Sequence, residues 1–307
     1  MSKNDRRVND VMTSSLSLVI VDAMQITIKD ITLKAGLYLV ATPIGNLGDM
    51  SIRGLEVLAA ADVVLCEDSR ISGKLMSHFG LKKKLWVYND HSDGSARAGV
   101  MARIADGEAV ALISDAGMPM ISDPGYKLVC DAYEAGVYVT SAPGANAPLS
   151  ALQLSGMPSD AFSFIGFLPH KVKARREVLA RWCEVQGSLI AFESAARLVK
   201  ALADIEAVMG ARQVAVVREI TKKFEEVRRG SAAELVAYYE EHGAPKGEIV
   251  LAIAPPERIE YSEDDLRGML REALKDMRVK DAAAFVAKES GAAKSVLYDM
   301  ALEISKA

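Results

Sequence analysis

Short β-rich runs that alternate with longer amphipathic segments constrain the fold of this chain more than any other feature of its sequence. Strands that alternate with helices favour a mostly parallel sheet, because each crossover helix returns the chain to the same edge of the sheet. The sequence therefore predicts a first α/β domain over 36–155. Its five strand-like runs are Leu37–Ala41, Val63–Cys66, Leu85–Tyr88, Val110–Ile113 and Val137–Thr140.

A second set of β-rich runs begins after a stretch rich in Pro, Gly and small residues over 143–158. Within this set, Phe224–Arg228 alternates apolar and charged residues more regularly than the others, which favours an antiparallel, half-exposed strand. We therefore expect a second α/β domain over 156–256, with a mixed sheet. The runs are Phe162–Phe167, Leu189–Phe192, Val214–Val217, Phe224–Arg228 and Ile249–Ala254.

The two ends of the chain lack this alternation. Residues 1–35 show no sustained periodicity and are expected to form an N-terminal extension that is partly disordered. After Pro255 and Pro256 the β pattern ends, and a C-terminal helical segment is predicted over 257–307. Its three helices are Glu263–Asp276, Lys280–Ser290 and Ala293–Ile304, and the last two resemble a helix-turn-helix because Gly291 separates them.

Charge, cysteine usage and hydropathy exclude several classes of protein. The 307 residues carry a formal net charge of -4, so any contact with RNA must come from local basic patches. Cys66, Cys130 and Cys183 form no CxxC pair and the four histidines show no ligand spacing, so neither a disulfide framework nor a metal site is expected. The apolar stretch over 16–21 is too short for a signal peptide or a membrane span. We expect a cytoplasmic protein that makes no membrane contact.

Two polar loops directly follow the first two predicted strands, where parallel α/β proteins bind their ligands. The loop 41–49 contains Gly45, which suits either a close backbone approach to a ligand or an ordinary turn. The loop 66–70 contains Glu67, Asp68 and Arg70. These residues suit either a site that contacts substrate or a helix N-cap beside a solvated arginine.

Two further loops follow later strands of the same predicted sheet. The twelve residues of 114–125 exceed an ordinary connection, which favours a binding loop. The loop 142–148 precedes a helix whose first N–H groups can bind a carboxylate or the polar edge of a ligand. None of the four loops is a GxGxxG or Walker loop, so ordinary dinucleotide and triphosphate sites are not supported.

These loops belong to an ordered series of short motifs between about Gly36 and Ala254. The motifs are Val40–Leu47, Glu67–Arg70, Ser114–Gly117 with Asp123–Gly125, Gly166–Pro169, Phe192–Ser194, Arg218–Lys222 and Lys246–Glu248. The series resembles the tetrapyrrole methylase superfamily and, within it, the ribosomal RNA small-subunit methyltransferase I family. That resemblance implies two α/β domains with S-adenosylmethionine bound in the cleft between them.

The resemblance also implies an activity and a set of contacts. The implied reaction is 2′-O-methylation of a cytidine in 16S ribosomal RNA, of the cytidine-1402 type at the decoding centre, by a homodimer acting on the assembled small subunit. The chain departs from the family at Met118, where Thr is usual, and at Phe192, where Tyr is usual. The implied donor contacts are Gly45, Asp115, Met118, Ile121, Asn146, Ala147 and Phe192.

Methylation of a hydroxyl also requires that a base or a nearby cation assist the loss of its proton. His91 follows a predicted strand and suits either a base or a hydrogen-bonded structural histidine. Glu219 and Lys222 suit either a cleft ion pair or exposed charges, and the resemblance favours the cleft. The candidates are Glu67, Asp68, Asp115, His91, Glu219 and Lys222, with Arg70 placed to orient the ribose and a phosphate.

Two other functions remain open at this point. A methyltransferase of the same fold that acts on a tetrapyrrole or another small molecule would need neither a basic groove nor a helical tail. A non-catalytic RNA-binding protein would leave the cleft loops without a role. The basic residues available for RNA are Lys82–Lys84, Lys171, Lys173, Arg175, Arg176, Lys222, Lys223, Arg228 and Arg229, together with lysines of the C-terminal helices.

Overall fold

The computed structural model describes residues 28–88, 94–257 and 261–306 of the chain. His91 and most of the expected N-terminal extension lie outside these residues. None of the helices in the described ranges is both long enough and apolar enough to cross a membrane.

The first sheet has five strands in the order β3-β2-β4-β1-β5, and every pair of neighbours is parallel. The central strands are apolar and buried because helices cover both faces of the sheet. This arrangement confirms the mostly parallel first sheet. Its elements are β1 (Gly36–Val40), α1 (Ile52–Ala60), β2 (Val63–Cys66), α2 (Ser69–His78), β3 (Leu85–Val87), α3 (Gly94–Ala105), β4 (Ala109–Leu112), α4 (Tyr126–Glu134), β5 (Val139–Ala142) and α5 (Ala147–Ser155).

The second sheet has the order β6-β7-β10-β8-β9; the β6–β7 pair is parallel and the other pairs are antiparallel. The half-exposed β9 lies at the edge of the sheet, antiparallel to β8, which confirms both the mixed sheet and the expected character of this strand. The elements are β6 (Phe162–Phe167), α6 (Val172–Trp182), β7 (Ser188–Ser194), α7 (Leu198–Met209), β8 (Gln213–Arg218), β9 (Glu226–Ser231), α8 (Ala232–His242) and β10 (Glu248–Ile253).

Helix α5 joins the two sheets. Ala151 and Leu152 of this helix are buried against Ile190, Val217 and other apolar side chains of the second sheet. The opposite face of that sheet packs against α6, α7 and α8. Both sheets consequently belong to one compact unit that ends at Pro255, and the expected domain boundary at 155/156 stays a prediction.

Residues from Pro256 onward form a second compact unit with an apolar core of its own. It contains α9 (Glu263–Ala273), α10 (Val279–Ser290) and α11 (Lys294–Lys306). Ser262 and Asp265 form a reciprocal capping box at the start of α9, and Gly291 ends α10 in the left-handed conformation that glycine favours.

Two predicted strands begin two residues later than the sequence pattern indicates. At β5, the N–H of Val137 donates to the carbonyl of Ala132, so the chain there still completes the end of α4. At β9, Glu219 and Thr221 adopt positive φ values of 49° and 66°, which turns the chain before Phe224 can join the sheet. Local turn hydrogen bonds and backbone conformation therefore override the periodicity at both strand starts.

Candidate active site

The loop that follows β4 is braced by the end of β1. Thr42 and Gly117 exchange two backbone hydrogen bonds of 2.9 and 3.0 Å, and the Thr42 hydroxyl donates to the carbonyl of Ser114 at 3.1 Å. The Ser114 hydroxyl donates in turn to the carbonyl of Gly117 at 3.1 Å. Thr42 and Ser114 are both buried, so these bonds are shielded from water and fix the direction in which Asp115 leaves the sheet.

A cavity of about 390 Å³ opens beside this loop, at the N-terminus of α5; we call it the α5 cavity. Its volume falls within the range of sites that bind small molecules. Much of its wall comes from apolar side chains of both sheets, among them Ile44, Ile220, Ile249 and Val250. Six of the residues expected to contact a methyl donor line it: Asp115, Met118, Ile121, Asn146, Ala147 and Phe192.

Asn146 fixes one corner of the α5 cavity. Its Oδ1 accepts a hydrogen bond of 2.9 Å from the N–H of Leu149 and so caps α5. Its Nδ2 lies 3.3 Å from the sulfur of Met118. Met118 therefore contacts the asparagine through its sulfur, which is a weak acceptor.

Three aromatic rings line or border the α5 cavity on the side of the second sheet. The Phe192 ring lies 5.0 Å from the rings of both Phe164 and Phe167, in tilted or edge-to-face arrangements. Phe167 is 61% exposed even though it lines the cavity. The register between β6 and β7 shifts between Phe164 and Phe167, which separates the two rings along the strand.

A second cavity of about 400 Å³ lies against α2; we call it the α2 cavity. Residues of α2, including Ile71 and Lys74, line one side, and Lys222 lines another. Gly45 lines this cavity and is absent from the α5 cavity lining. A side chain at Gly45 would come within 2.5 Å of the Lys222 Cγ, so the glycine makes room for the lysine. The two cavities share the lining residues Ile44, Asp115, Ala116 and Glu248.

Lys222 is held between two carboxylates. Its Nζ lies 3.0 Å from Glu219 Oε1 and 2.8 Å from Glu248 Oε2. Burial lowers the pKa of Lys222, but hydrogen bonds to Glu248 and Glu219 more than offset this, and the net pKa is raised. A hydrogen bond from the N–H of Glu248, followed by one from Lys222, lowers the pKa of Glu219. The lysine is therefore a fixed cation and Glu219 a fixed anion at neutral pH.

The Glu67–Arg70 segment forms the start of α2. Asp68 caps the helix by accepting a 2.8 Å hydrogen bond from the N–H of Arg70, and it also pairs with the Arg70 guanidinium. These bonds lower the pKa of Asp68 to about 2. The Arg70 side chain is 86% exposed. Glu67, Asp68 and Arg70 are not among the described residues that line either cavity. The helix-cap interpretation thus accounts for the geometry of this segment, while its role in catalysis stays a prediction.

Two carboxyl groups of the Ser114–Gly125 loop lie in less polar surroundings. Burial raises the pKa of Asp123 to about 6, although a hydrogen bond with Ser114 opposes the shift. Burial also raises the pKa of Asp115, against the lowering effect of a hydrogen bond from the N–H of Asp68. Carboxyl groups with raised pKa values beside a cavity are typical of functional sites.

Comparison with known proteins connects this site to one family. The tetrapyrrole (corrin/porphyrin) methylase family matches residues 36–236, and the RsmI C-terminal HTH domain family matches residues 260–305. The ribosomal RNA small subunit methyltransferase I of Erythrobacter litoralis is 52% identical over 272 residues, which cover 89% of this chain and 96% of the relative. The chain belongs to the ribosomal RNA small subunit methyltransferase I family.

Other members of the family align over most of the chain as well. The ribosomal RNA small subunit methyltransferase I of Mesorhizobium japonicum is 45% identical and covers 89% of this chain and 93% of its own length. The corresponding protein of Escherichia coli O157:H7 is 41% identical and covers 87% of this chain and 94% of its own length. These relatives confirm the family that the loop motifs predicted.

More distant solved structures share the fold alone. Diphthine synthase superposes with a TM-score of 0.55 at 16% identity, covering 71% of this chain and 89% of its own. The uroporphyrin-III C-methyltransferase of Thermus thermophilus, solved with S-adenosylhomocysteine, superposes with a TM-score of 0.50 at 18% identity, covering 71% of this chain and 97% of its own. The tetrapyrrole methylase-like fold predicted for this family member is confirmed.

Several lining residues of this family member escaped the sequence analysis. Phe167, Ile220 and Glu248 each lie within a motif that carries the family resemblance, yet none was assigned to the site. Their distance in sequence from the first-domain loops concealed them, and only the pairing of β7 with β10 and β10 with β8 brings them to the cavity. The signal that could have found Phe167 and Ile220 was the position of their motifs at the end of a predicted strand, whereas Glu248 comes just before its strand and gave no such signal.

Proposed function

We propose that this chain transfers the methyl group of S-adenosylmethionine to the ribose 2′-oxygen of a cytidine in 16S ribosomal RNA. The observation that carries the proposal is the α5 cavity, where six of the residues expected to contact the donor lie together. Membership of a family whose relatives are named for ribosomal RNA methylation supplies the substrate class.

The residues of the α5 cavity suit S-adenosylmethionine. When bound, this donor would supply a methyl group on a positively charged sulfur, and an oxygen nucleophile could attack the methyl carbon with the sulfur as the leaving group. The apolar walls around Ile44, Phe192 and Ile249 suit an adenosine group. The carboxylates of Asp115 and Asp123 place negative charge where the positively charged sulfur of the donor gains from it. Met118, Ile121, Asn146 and Ala147 complete the wall, and rigid placement of this kind contributes much of the rate in displacement reactions.

The α2 cavity suits the acceptor nucleotide. It meets the α5 cavity along Asp115 and Glu248, so a nucleoside there would present its ribose to the donor side. Lys74 lines it and suits a phosphate, whereas Lys222, whose charge is matched by Glu219 and Glu248, suits a polar base edge. Gly45 supports this site by making room for Lys222, and Glu219 holds the lysine in place.

We assign the segment at the start of α2 to the RNA side of the site. Asp68 orients Asp115 through its backbone N–H, which donates to Oδ1 at 3.2 Å. The exposed guanidinium of Arg70 offers a planar donor fork to a phosphate, and Glu67 belongs to the same turn. His91 lies outside the described residues and is kept as a candidate base.

We further infer that the substrate is the assembled small subunit, that the enzyme works in the cytoplasm where ribosomes are present, and that it is a homodimer. Exposed aromatic side chains on α4, among them Tyr126 and Tyr133, support a self-association surface. Sedimentation should give twice the mass of the 33.0 kDa chain at micromolar concentration, and a monomer would end this part of the proposal.

The test of the main proposal is methylation of small subunits purified from cells that lack this protein. Incubation with the enzyme and labelled S-adenosylmethionine should add one 2′-O-methyl group to a cytidine, identified by mass mapping of the RNA. Free 16S RNA and a free tetrapyrrole precursor serve as parallel substrates. Labelling of the tetrapyrrole alone, or of an RNA base with no ribose methylation, would contradict the proposal.

A further inference from the structure

The wall between the two cavities contains two ionisable side chains, Asp115 and Glu248, among its four shared lining residues. Glu248 is 78% exposed and its Oε2 pairs with Lys222 at 2.8 Å. One oxygen of the Glu248 carboxylate is therefore already occupied by the lysine, and most of this side chain faces solvent. Asp115 is therefore the stronger candidate to act on a group that reaches from one cavity into the other.

The hydrogen bonding of Asp115 leaves half of its carboxylate available. Oδ1 accepts the N–H of Asp68 at 3.2 Å. Asp115 Oδ2 accepts no hydrogen bond from any residue in the described parts of the chain. The bonds among Thr42, Ser114 and Gly117 brace the backbone of this loop, and the Asp68 N–H holds the carboxylate itself. A general base needs this combination of fixed position and available lone pairs.

The charged groups around Asp115 come from three parts of the fold. Asp68 and Arg70 lie at the start of α2, next to Glu67, and they act on Asp115 in opposite senses. Asp123 belongs to the same loop as Asp115, and Lys222 and Glu248 lie on the second sheet. Burial is the largest influence and raises the pKa of Asp115 above its ordinary value. A carboxylate of raised pKa binds a proton more readily than an ordinary one.

Three other described candidates, Lys222, Glu219 and Asp68, are poorer proton acceptors, and Glu67 lies outside the described lining of both cavities. Lys222 is held as a cation by two carboxylates. Glu219 Oε1 accepts hydrogen bonds from both Lys222 and the N–H of Glu248, which stabilises the anion. Asp68 is paired with Arg70 and its pKa is about 2. Each of these groups is fixed in the charge state that does not take up a proton at neutral pH.

We propose that Asp115 is the catalytic residue that accepts the proton of the ribose 2′-hydroxyl, across the shared wall of the α5 and α2 cavities; this rests on the proposed function. A bond forms between the 2′-oxygen and the methyl carbon of S-adenosylmethionine. The carbon–sulfur bond breaks, and its electron pair stays on sulfur as a neutral thioether. The hydroxyl proton passes to Asp115 Oδ2 and then to solvent, which restores the carboxylate.

The test compares Asp115→Asn with a matched control. Asparagine keeps an oxygen that can accept the N–H of Asp68 but cannot take a proton at neutral pH. The control is Asp62→Asn, because the Asp62 carboxylate also accepts one backbone N–H, from Ala109 at 2.8 Å, at the opposite edge of the same sheet. Single-turnover methylation of small subunits is measured against pH, with S-adenosylhomocysteine affinity measured by calorimetry on the full-length protein.

For Asp115→Asn we expect methylation to slow by about 10²- to 10⁴-fold, the usual contribution of a general base, while S-adenosylhomocysteine affinity stays within about threefold. The acid limb of the wild-type pH profile should also disappear, and Asp62→Asn should behave as wild type. A second variant, Asp115→Ala, should regain part of its rate when formate is added, because a small carboxylate can occupy the space left by the side chain.

Failures of the two proposals are distinguishable. If the wild-type enzyme does not methylate small subunits, the proposed function itself is wrong. If the wild type is active and Asp115→Asn keeps its rate or its acid limb, Asp115 is not the base, and His91 becomes the next residue to substitute. An equal loss of donor affinity and rate would make Asp115 a donor-binding residue. If both Asp115→Asn and Asp115→Ala lost the native fold, Asp115 would be a structural residue. Either of these two results would overturn the assignment of Asp115 as the base.

Discussion

Ala147 is the first residue of α5, and its methyl group forms part of the α5 cavity wall. We predict that Ala147→Trp lowers S-adenosylhomocysteine affinity by more than about 100-fold, because the indole would occupy space that the ligand needs. The melting temperature should change by only a few degrees. Calorimetric titration and thermal unfolding measure the two quantities.

The matched control for this substitution is Leu149→Trp, two residues along the same helix. Leu149 is 45% exposed and is absent from the cavity lining, so its replacement should leave the affinity unchanged. Wild-type affinity in Ala147→Trp would show that S-adenosylhomocysteine does not use the α5 cavity.

Asp123 gives a prediction about pH at the same scale. Burial raises its pKa to about 6 in the folded chain, from an ordinary value of 3.8. Because the folded chain holds this proton more tightly than the unfolded chain, the resulting stability is fully present below about pH 4 and is lost as the pH rises through about 6. Asparagine has no charge to bury, so Asp123→Asn should raise the melting temperature at about pH 7.5 by on the order of 2 °C.

This gain should shrink toward zero at about pH 4, where the aspartic acid of the wild type is protonated in both states. Thermal unfolding of the ligand-free protein at the two pH values provides the measurement. A difference of the same size at both pH values would mean that the substitution acts through packing or hydrogen bonding and not through ionisation.

At the scale of elements, the connection between β6 and α6 depends on one buried arginine. Arg175 donates from Nε to Asp204 Oδ2 on α7 at 2.7 Å, and from Nη1 to the carbonyls of Pro169 and His170. The guanidinium therefore ties the connection to two helices in a region that excludes water. Removal of one partner of a buried pair leaves the other charge poorly compensated.

We predict that Arg175→Met lowers the free energy of unfolding by about 3 kcal/mol. Arg176 is the matched control, because it pairs with the other oxygen of Asp204 at 2.6 Å but is 52% exposed. Arg176→Met should cost less than about 1 kcal/mol, as exposed ion pairs do. Urea unfolding of both variants measures the difference, and equal costs would refute an anchoring role for Arg175.

At the scale of the whole molecule, the C-terminal unit begins at Pro256, and none of its described residues lines the α5 cavity or the α2 cavity. We predict that a chain truncated after Pro255 binds S-adenosylhomocysteine with an affinity within about twofold of the full-length chain, whereas its affinity for small subunits falls about tenfold or more. Calorimetry and filter binding measure the two affinities. Unchanged subunit binding would exclude the C-terminal helices from RNA docking, and loss of donor binding by a folded truncated protein would contradict the separation.

The sequence predicted much of this molecule where the signal is local. The strands β2 and β6 have the bounds expected from the sequence, and the four loops after first-sheet strands lie at its carboxyl edge. Hydrophobic periodicity and turn residues operate over a few positions, so a single sequence records them directly. The binding loop over 114–125 was predicted from another local signal, its length of twelve residues.

The sequence did not predict which side chains contact one another across long distances in the chain. Gly45 was expected against the donor, yet it lies beside Lys222, which is 177 positions later in the chain. Glu248 was not a candidate at all, and it reaches the shared wall because β10 pairs between β7 and β8. Non-local strand pairing of this kind depends on the whole core and leaves no short-range signal.

The amino-acid sequence by itself determined the alternation of strands and helices, the parallel first sheet, the family and the positions of the candidate loops, because these follow from local periodicity and from motifs read in order. Tertiary structure alone decided that α5 joins the two sheets, that Asp68 caps α2 and supports Asp115, and that Asp115 lies on the wall between two cavities. The physical reason is that burial, hydrogen-bond partners and the pKa of a carboxyl group depend on atoms distant in the chain, which only the packed core brings into contact.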